Sequence, residues 1–275
     1  MRAADAVGVL FGLSGGIDSS TLAALCARAV EPGMVHAVYL YDRHSAHRLR
    51  ACAGTVAGQL ELDYHELPIT AEMQARGLYA SSGMRVTGIA GWFNRLLYKI
   101  YLRSTGETPF LSTLKAPGSQ PDTWYASILA QAEAGMNARH RHRRQVLEGM
   151  ALEKNWLLLG AANRSEWLVG WFVKGGVDDL PDQPLIGLYK TQVRQLAAEL
   201  GLPACVLSIQ PSPDMIPGIT DEIGLNIEYT ELDLILEHLQ GGLSADELGR
   251  NGIGQDQIEY VLELMSSSSW KRESP

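Results

Sequence analysis

Val7-Gly8-Val9-Leu10-Phe11-Gly12-Leu13 runs directly into Ser14-Gly15-Gly16-Ile17-Asp18-Ser19-Ser20, and the junction of the two decides how the chain is read. The first seven residues are a short, nearly unbroken apolar run, as a strand buried on both faces should be. The next seven hold two glycines, which let the backbone turn tightly and approach a ligand, ahead of a helix expected over residues 20–30. The start of that helix offers unpaired N–H groups and the positive end of its dipole. Ser14, Ser19 and Ser20 add hydroxyl donors. Together they form a cradle for an anion such as a diphosphate. A plain helix cap would use the same residue types, since Ser and Asp favour helix starts.

Asp18 is the odd member of this group. A carboxylate inside a phosphate nest is repulsive unless a divalent cation lies between the two, which makes Asp18 a candidate Mg²⁺ ligand. No lysine stands at the Walker position, so the segment is not a GxxxxGK[ST] loop.

Further apolar runs at 35–41, 64–67 and 156–160 are also short and continuous, and helical stretches at 20–30 and 45–60 separate the first three strands. This is a βαβαβ pattern and predicts a Rossmann-like parallel sheet with helices on both faces. Ligands then belong at the carboxyl ends of the strands, where residues 14–20 lie. Over 70–131 the sheet pattern stops: a helix near 89–102 is followed by Thr108-Pro109 and Ala116-Pro117-Gly118-Ser119-Gln120-Pro121, which reads as an insertion or lid within one domain spanning 1–275. A long helix over 125–152 carries Arg139-His140-Arg141-His142-Arg143-Arg144, a cluster of the kind that usually forms a solvated or partner-facing helix side. The C-terminal region alternates helices with turns at Gly241-Gly242 and 252–254 and ends in a polar tail, 266–275.

The 275 residues suffice for a sizeable core, and 46% hydrophobic with 20% charged residues is the balance of a soluble globular protein. No apolar run is long enough to span a membrane. Met1-Arg2-Ala3-Ala4-Asp5 carries an acid and leads straight into the first strand, unlike a signal peptide, so a cytoplasmic protein with no membrane partner is expected. Cys26, Cys52 and Cys205 show no CxxC or CxxH spacing, which argues against zinc, an Fe–S cluster or a disulfide framework and for packing roles. A net charge of −8 disfavours a nucleic-acid partner. A Rossmann dehydrogenase is disfavoured too, because Asp42 ends the second strand but the glycine spacing is wrong.

The 14–20 loop resembles the pyrophosphate-binding loop of the N-type ATP pyrophosphatases (the adenine nucleotide alpha hydrolase-like fold). Later blocks resemble one family among them, the ammonia-dependent NAD synthetases. These are Asn137-Ala138-Arg139-His140-Arg141, Gly160-Ala161-Ala162-Asn163-Arg164-Ser165-Glu166, Leu188-Tyr189-Lys190-Thr191-Gln192-Val193, and Pro211-Ser212-Pro213-Asp214 with Pro217-Gly218-Ile219-Thr220-Asp221-Glu222. They follow the family's order, and only 70–131 lacks a clear match.

The resemblance implies that ATP adenylylates a carboxylate, releasing pyrophosphate, and that ammonia then gives the amide and AMP. Asp18 and Glu166 would hold Mg²⁺, and Lys190 would meet the phosphates, these three forming the catalytic set. The ATP site would comprise Ser14, Gly15, Gly16, Ile17, Asp18, Ser19 and Ser20 with Ala161, Lys190 and Ser212. Arg139, Lys174 and Lys271 match residues that bind the carboxylate substrate, deamido-NAD in the family. The family's His-Lys pair reads Trp270-Lys271 here, and its ATP-contacting threonine is Ala161. Its lysine ahead of the Pro-Ser block is Ile209, and its substrate-contacting acid falls on Pro181, with Asp179 or Asp182 able to replace it after a loop shift. The ATP half is kept and the acid-binding half is altered.

The expected activity is amidation of deamido-NAD. The alternatives are the same chemistry on another carboxylate and a catalytically silent nucleotide-binding protein, the latter opposed by the presence of Asp18, Glu166 and Lys190. A homodimer is implied by the family. With the first strand beginning at residue 7, no glutaminase portion is expected ahead of it, so nitrogen would come as free ammonia or from a separate ammonia-supplying enzyme.

Overall fold

The computed structural model describes residues 6–80, 91–115, 124–212, 217–250 and 252–273. The expected turns at 116–121 and at Pro213-Asp214, and the start of the 89–102 helix, lie outside the described residues.

Strands β1 (Val9–Gly12), β2 (Val35–Tyr41), β3 (Asp63–Pro68) and β4 (Leu157–Leu159) form one parallel sheet in the order β3-β2-β1-β4. Helix α1 (Ile17–Ala29) joins β1 to β2, and α2 (His47–Gln59) joins β2 to β3. The chain therefore steps outward from β1 on one side and returns on the other at β4. That reversal places a crevice at the carboxyl end of β1, where ligands of open α/β sheets bind.

The alternation within β1 and β2 explains why both faces are covered. Phe11, Leu13, Ala37 and Tyr39 pack with Leu22 of α1, Ala53 and Val56 of α2, and Val193 of α8 (Lys190–Glu199). Leu10, Val38 and Leu40 point the other way, onto Met73 of α3 (Thr70–Ala75) and Leu147 and Ala151 of α6 (Trp124–Lys154). Between them lie α4 (Gly91–Thr105) and α5 (Pro109–Leu114), and the short α7 (Arg164–Val169) follows β4. After α9 (Ala204–Leu207), helices α10 (Asp221–Leu225), α11 (Tyr229–Gln240), α12 (Ala245–Arg250) and α13 (Gln255–Ser267) gather around Leu225, Leu232, Leu236 and Ile258 with Leu111 and Leu114 of α5.

Three sequence expectations are corrected. Helix α1 begins at Ile17 rather than residue 20, because Gly15, at φ +78°, completes the turn alone and Gly16 can cap the helix at once. The basic cluster on α6 is not a solvated face: α6 lies against the sheet, so Arg139 and His142 are buried and Arg141 is exposed. The polar tail folds back as α14 (Ser269–Arg272), with Lys271 buried.

Gly15 is the tightest point of the loop. A β-carbon there would lie 2.1 Å from the Leu49 carbonyl oxygen and 3.0 Å from the Ala53 nitrogen, in a backbone region that side chains rarely adopt. Gly15→Ala should destabilise the fold by at least about 2 kcal/mol, read as a lower urea midpoint at unchanged m.

Candidate active site

The loop after β1 is held open by its own serines. Ser14 N–H donates to Ser19 Oγ (3.1 Å), the two hydroxyls lie 2.9 Å apart, and Ser19 Oγ donates to the Gly16 carbonyl (3.3 Å). No side chain of the cap residue closes the helix start, so Ile17, Asp18 and Ser19 head α1 with N–H groups that lack helical acceptors. Ser14, Gly16, Ile17, Asp18 and Ser19 line a cavity of about 870 Å³. Gly15 and Ser20 do not: Gly15 abuts α2, and Ser20 is fully buried.

Lys190 enters the same cavity as the first residue of α8, a position where a cation opposes the helix dipole. Its backbone is fixed from outside the helix. Ser165 Oγ accepts from the Lys190 N–H (2.8 Å), Asp233 accepts from the Thr191 N–H (2.7 Å), and Ser165 also donates to Asp233. The buried ammonium lies 2.6 Å from Asp18 Oδ2, 2.8 Å from Glu166 Oε1 and 4.0 Å from Asp221 Oδ2. Asn163 ties two of these elements together, since its Oδ1 caps α7 at the Glu166 N–H (3.0 Å) and its Nδ2 donates to Asp18 Oδ1 (2.9 Å). Tyr229 donates to Asp221 (3.1 Å) and Glu166 (3.3 Å), with its ring 5.2 Å from the ammonium.

The cluster carries more negative charge than Lys190 offsets. Burial, together with repulsion from Asp18 and Asp221, pushes the Glu166 carboxyl up to about 8 despite Lys190. Burial raises Asp221 as well, again against Lys190. Asp178 is pushed up to about 6 by burial and by Asp18 and Asp221. Burial alone would lower the Lys190 ammonium, but Asp18, Glu166 and Asp221 outweigh it and keep the group charged. A pocket with this surplus attracts cations. Its oxygen donors fit Mg²⁺ in kind, and among the described residues no three side chains are arranged to hold a metal by themselves. That suits an ion that takes one or two carboxylates and completes its shell from phosphate and water.

The substrate-side residues divide. Arg139 does not line the cavity: its guanidinium turns to the buried Asp42 (3.1 Å), while Arg143, one turn on, reaches Asp42 (3.3 Å) and does line it. Burial favours a protonated Asp42, but Arg143 and Arg139 outweigh it and hold the carboxyl below its usual range. Asp179 closes its own loop by accepting from the Gly175 N–H (2.8 Å), whereas Asp178 faces the cavity, 3.4 Å from His140 Nδ1. Burial, with Arg143 and Arg139, pulls His140 down to about 3 and leaves it neutral.

Lys174 donates to the Lys271 and Glu273 carbonyls (2.6 and 2.9 Å), pinning the C-terminal turn. Lys271 lines the cavity and donates to the Gly170 and Phe172 carbonyls (2.8 and 2.7 Å); burial lowers it to about 8. Trp270 donates to the Leu114 carbonyl (3.2 Å) outside the cavity. Ala161 and Ser212 both line it, with Ser212 Oγ donating to the Ile219 carbonyl (3.1 Å).

Asp221, Tyr229, Asp178 and Arg143 are the residues that sequence reasoning did not select. Asp221 stood within a matched block and Asp178 beside Asp179, but nothing local distinguishes either, and Tyr229 carries no sequence signal.

A family model described as NAD synthase matches residues 1–84 and 120–275. The NH(3)-dependent NAD(+) synthetase of Coprothermobacter proteolyticus is 33% identical over 258 residues, covering 93% of this chain and 85% of the relative. That of Thermotoga maritima is 31% identical over 272 residues, covering 98% and 91%. Among solved structures, NMN synthetase from Francisella tularensis matches at a TM-score of 0.69 and 24% identity, over 98% of this chain and 88% of that one. NH3-dependent NAD synthetase from Campylobacter jejuni matches at 0.66 and 22%, over 99% and 90%. These two likenesses show the fold.

Asp178 holds its proton more tightly when folded, at about 6, than at its ordinary 3.8. The stabilisation is complete below about pH 4 and is lost as pH rises through about 6. Asp178→Asn should flatten that part of the profile in urea unfolding. Glu166, held at about 8, continues the decline at higher pH.

Proposed function

The chain belongs to the NAD synthase family, a family of ligases that form a carbon–nitrogen bond, and on that premise we propose that it converts deamido-NAD to NAD with ATP, Mg²⁺ and ammonia. The observation that supports this most is the buried Lys190 ammonium, 2.6 and 2.8 Å from Asp18 and Glu166 at the foot of the glycine loop.

The N–H groups heading α1 and the hydroxyls of Ser14 and Ser19 face the place where a pyrophosphate would lie. Asp18 and Glu166 are the residues to hold Mg²⁺, which when bound neutralises phosphate charge and orients the leaving pyrophosphate. Lys190 contributes a fixed positive charge that needs no reorganisation as negative charge builds on the departing oxygens. Ala161 and Ser212 border the same end of the cavity and would contact the nucleotide.

On the acid side, Arg143 and Lys271 reach the cavity and are the cations available to a carboxylate substrate. Arg139 and Lys174 act one step back: Arg139 shares Asp42 with Arg143, and Lys174 fixes the main chain that carries Lys271. Asp179 orders the loop that presents Asp178. Trp270 anchors the last helix against α5. The proposal includes a homodimer, for which Trp92, Leu96 and Ile100 give α4 an exposed apolar stripe. It also includes free ammonia or a separate enzyme as the nitrogen source. Among the described residues no helix is long and apolar enough to cross a membrane.

A second reading, another carboxylate on the same chemistry, is favoured by one feature: Pro181 stands where the family's substrate-contacting acid falls. Incubation with ATP, Mg²⁺, ammonium and deamido-NAD should release pyrophosphate and yield NAD by mass. Pyrophosphate release that depends on a different acid, with no NAD formed, would select the second reading.

Asp18→Ala and Glu166→Ala should each lower pyrophosphate release by about 10²–10³-fold or more. Each also removes a close partner of the buried Lys190 ammonium, so the Tm should fall while the fold, read by circular dichroism, is kept. Turnover near the parent rate in either variant would overturn the assignment.

A further inference from the structure

Two cysteines that lie 153 residues apart meet beside the nucleotide end of the cavity. Cys52, on α2, and Cys205, on α9, bring their Sγ atoms to 2.6 Å, and both are free thiols. No spacing in the sequence pairs them. Cys52 is buried, whereas Cys205 is partly exposed.

Their surroundings connect them to the cavity. Arg48 and Leu49, one turn before Cys52, line it, and the Leu49 carbonyl packs on Gly15 of the glycine loop. Helix α9 leads straight into Ser208, Ile209, Gln210, Pro211 and Ser212, all of which also line it. Between these two walls, Arg48 donates to Ser208 Oγ at 3.4 Å, near the limit of a hydrogen bond. We propose that Cys52 and Cys205 are a reversible oxidation site, whose disulfide clamps α2 to the 208–212 segment and restricts ATP access to the glycine loop.

The chemistry needs a two-electron oxidant, hydrogen peroxide. The partly exposed Cys205 attacks the peroxide, forming an S–O bond as the O–O bond breaks, and becomes a sulfenic acid with release of water. Cys52 then displaces the hydroxyl from Cys205 sulfur, its proton leaving with a second water as the S–S bond forms. Burial and the Cys205 contact push the Cys52 thiol up to about 12, which leaves the partly exposed Cys205 as the first to react. A dithiol reverses the step. Cys26 lies elsewhere in the core, its thiol pushed up to about 11 by burial, and supplies an internal control.

The cross-link itself is independent of what the protein catalyses, while its effect on turnover rests on the ATP reading above. The full chain is reduced, then treated with hydrogen peroxide, and its thiols are counted after denaturation. Three titratable thiols should fall to one, with peptide mass spectrometry showing Cys52 joined to Cys205 and Cys26 free. Pyrophosphate release should drop about tenfold through restricted access and release. It should return with dithiothreitol, and should not drop in Cys52→Ser or Cys205→Ser. Absence of the linked peptide overturns the proposal, and so does a linked form that turns over at the reduced rate. If the reduced protein releases no pyrophosphate, the functional reading has failed. The clamp is then decided by calorimetry with ATP and Mg²⁺, where equal affinity in both redox states overturns it.

Discussion

The Lys190 ammonium, buried among Asp18, Glu166 and Asp221, is the constraint around which the site is organised. Removing such a charge from water costs several kcal/mol, and only close carboxylates offset it. Those carboxylates come from α1, α7 and α10, with Tyr229 of α11 closing the cluster. One side chain therefore ties the sheet domain's first helix to the C-terminal helices. The same arrangement leaves surplus negative charge, and a site that must hold Mg²⁺ with a nucleotide benefits from that surplus more than the empty fold does.

The cavity lies where separately packed cores meet. One covers each face of the sheet, and a third holds the C-terminal helices to α5. Other buried charges sit at these junctions, Asp42 with Arg139 and Arg143 at one and Lys271 on two carbonyls at another. Each charge is satisfied across elements that hydrophobic packing alone would position less exactingly. Cys52 and Cys205 meet within one of these cores, the one that also packs α1 and α2 on the sheet.

Much of the fold was legible because its signals are local. The β2 boundaries match the apolar run at 35–41, and β1, β3 and β4 lie within one or two residues of their expected spans. The glycine loop, the acid within it and the lysine opening α8 were likewise visible, since a tight turn and a helix start are encoded by adjacent residues. Burial and side-chain direction on α6 depend on partners elsewhere in the chain. The arginine-histidine run on α6 looked solvated because a sequence does not say which helix face meets a sheet.

The sequence by itself determined the parallel sheet, the glycine turn that opens α1 and the family, because each is written in short spacings or in ordered blocks of matched residues. Only the tertiary structure decided that Asp178 rather than Asp179 faces the cavity, and that Arg143 reaches it while Arg139 is held by Asp42. It alone placed Asp221 and Tyr229 beside Lys190, and set two distant cysteines in contact. The physical reason is the same in each case: side-chain direction and long-range pairing are fixed by packing and by the cost of leaving a buried charge alone, and neither is local to the chain.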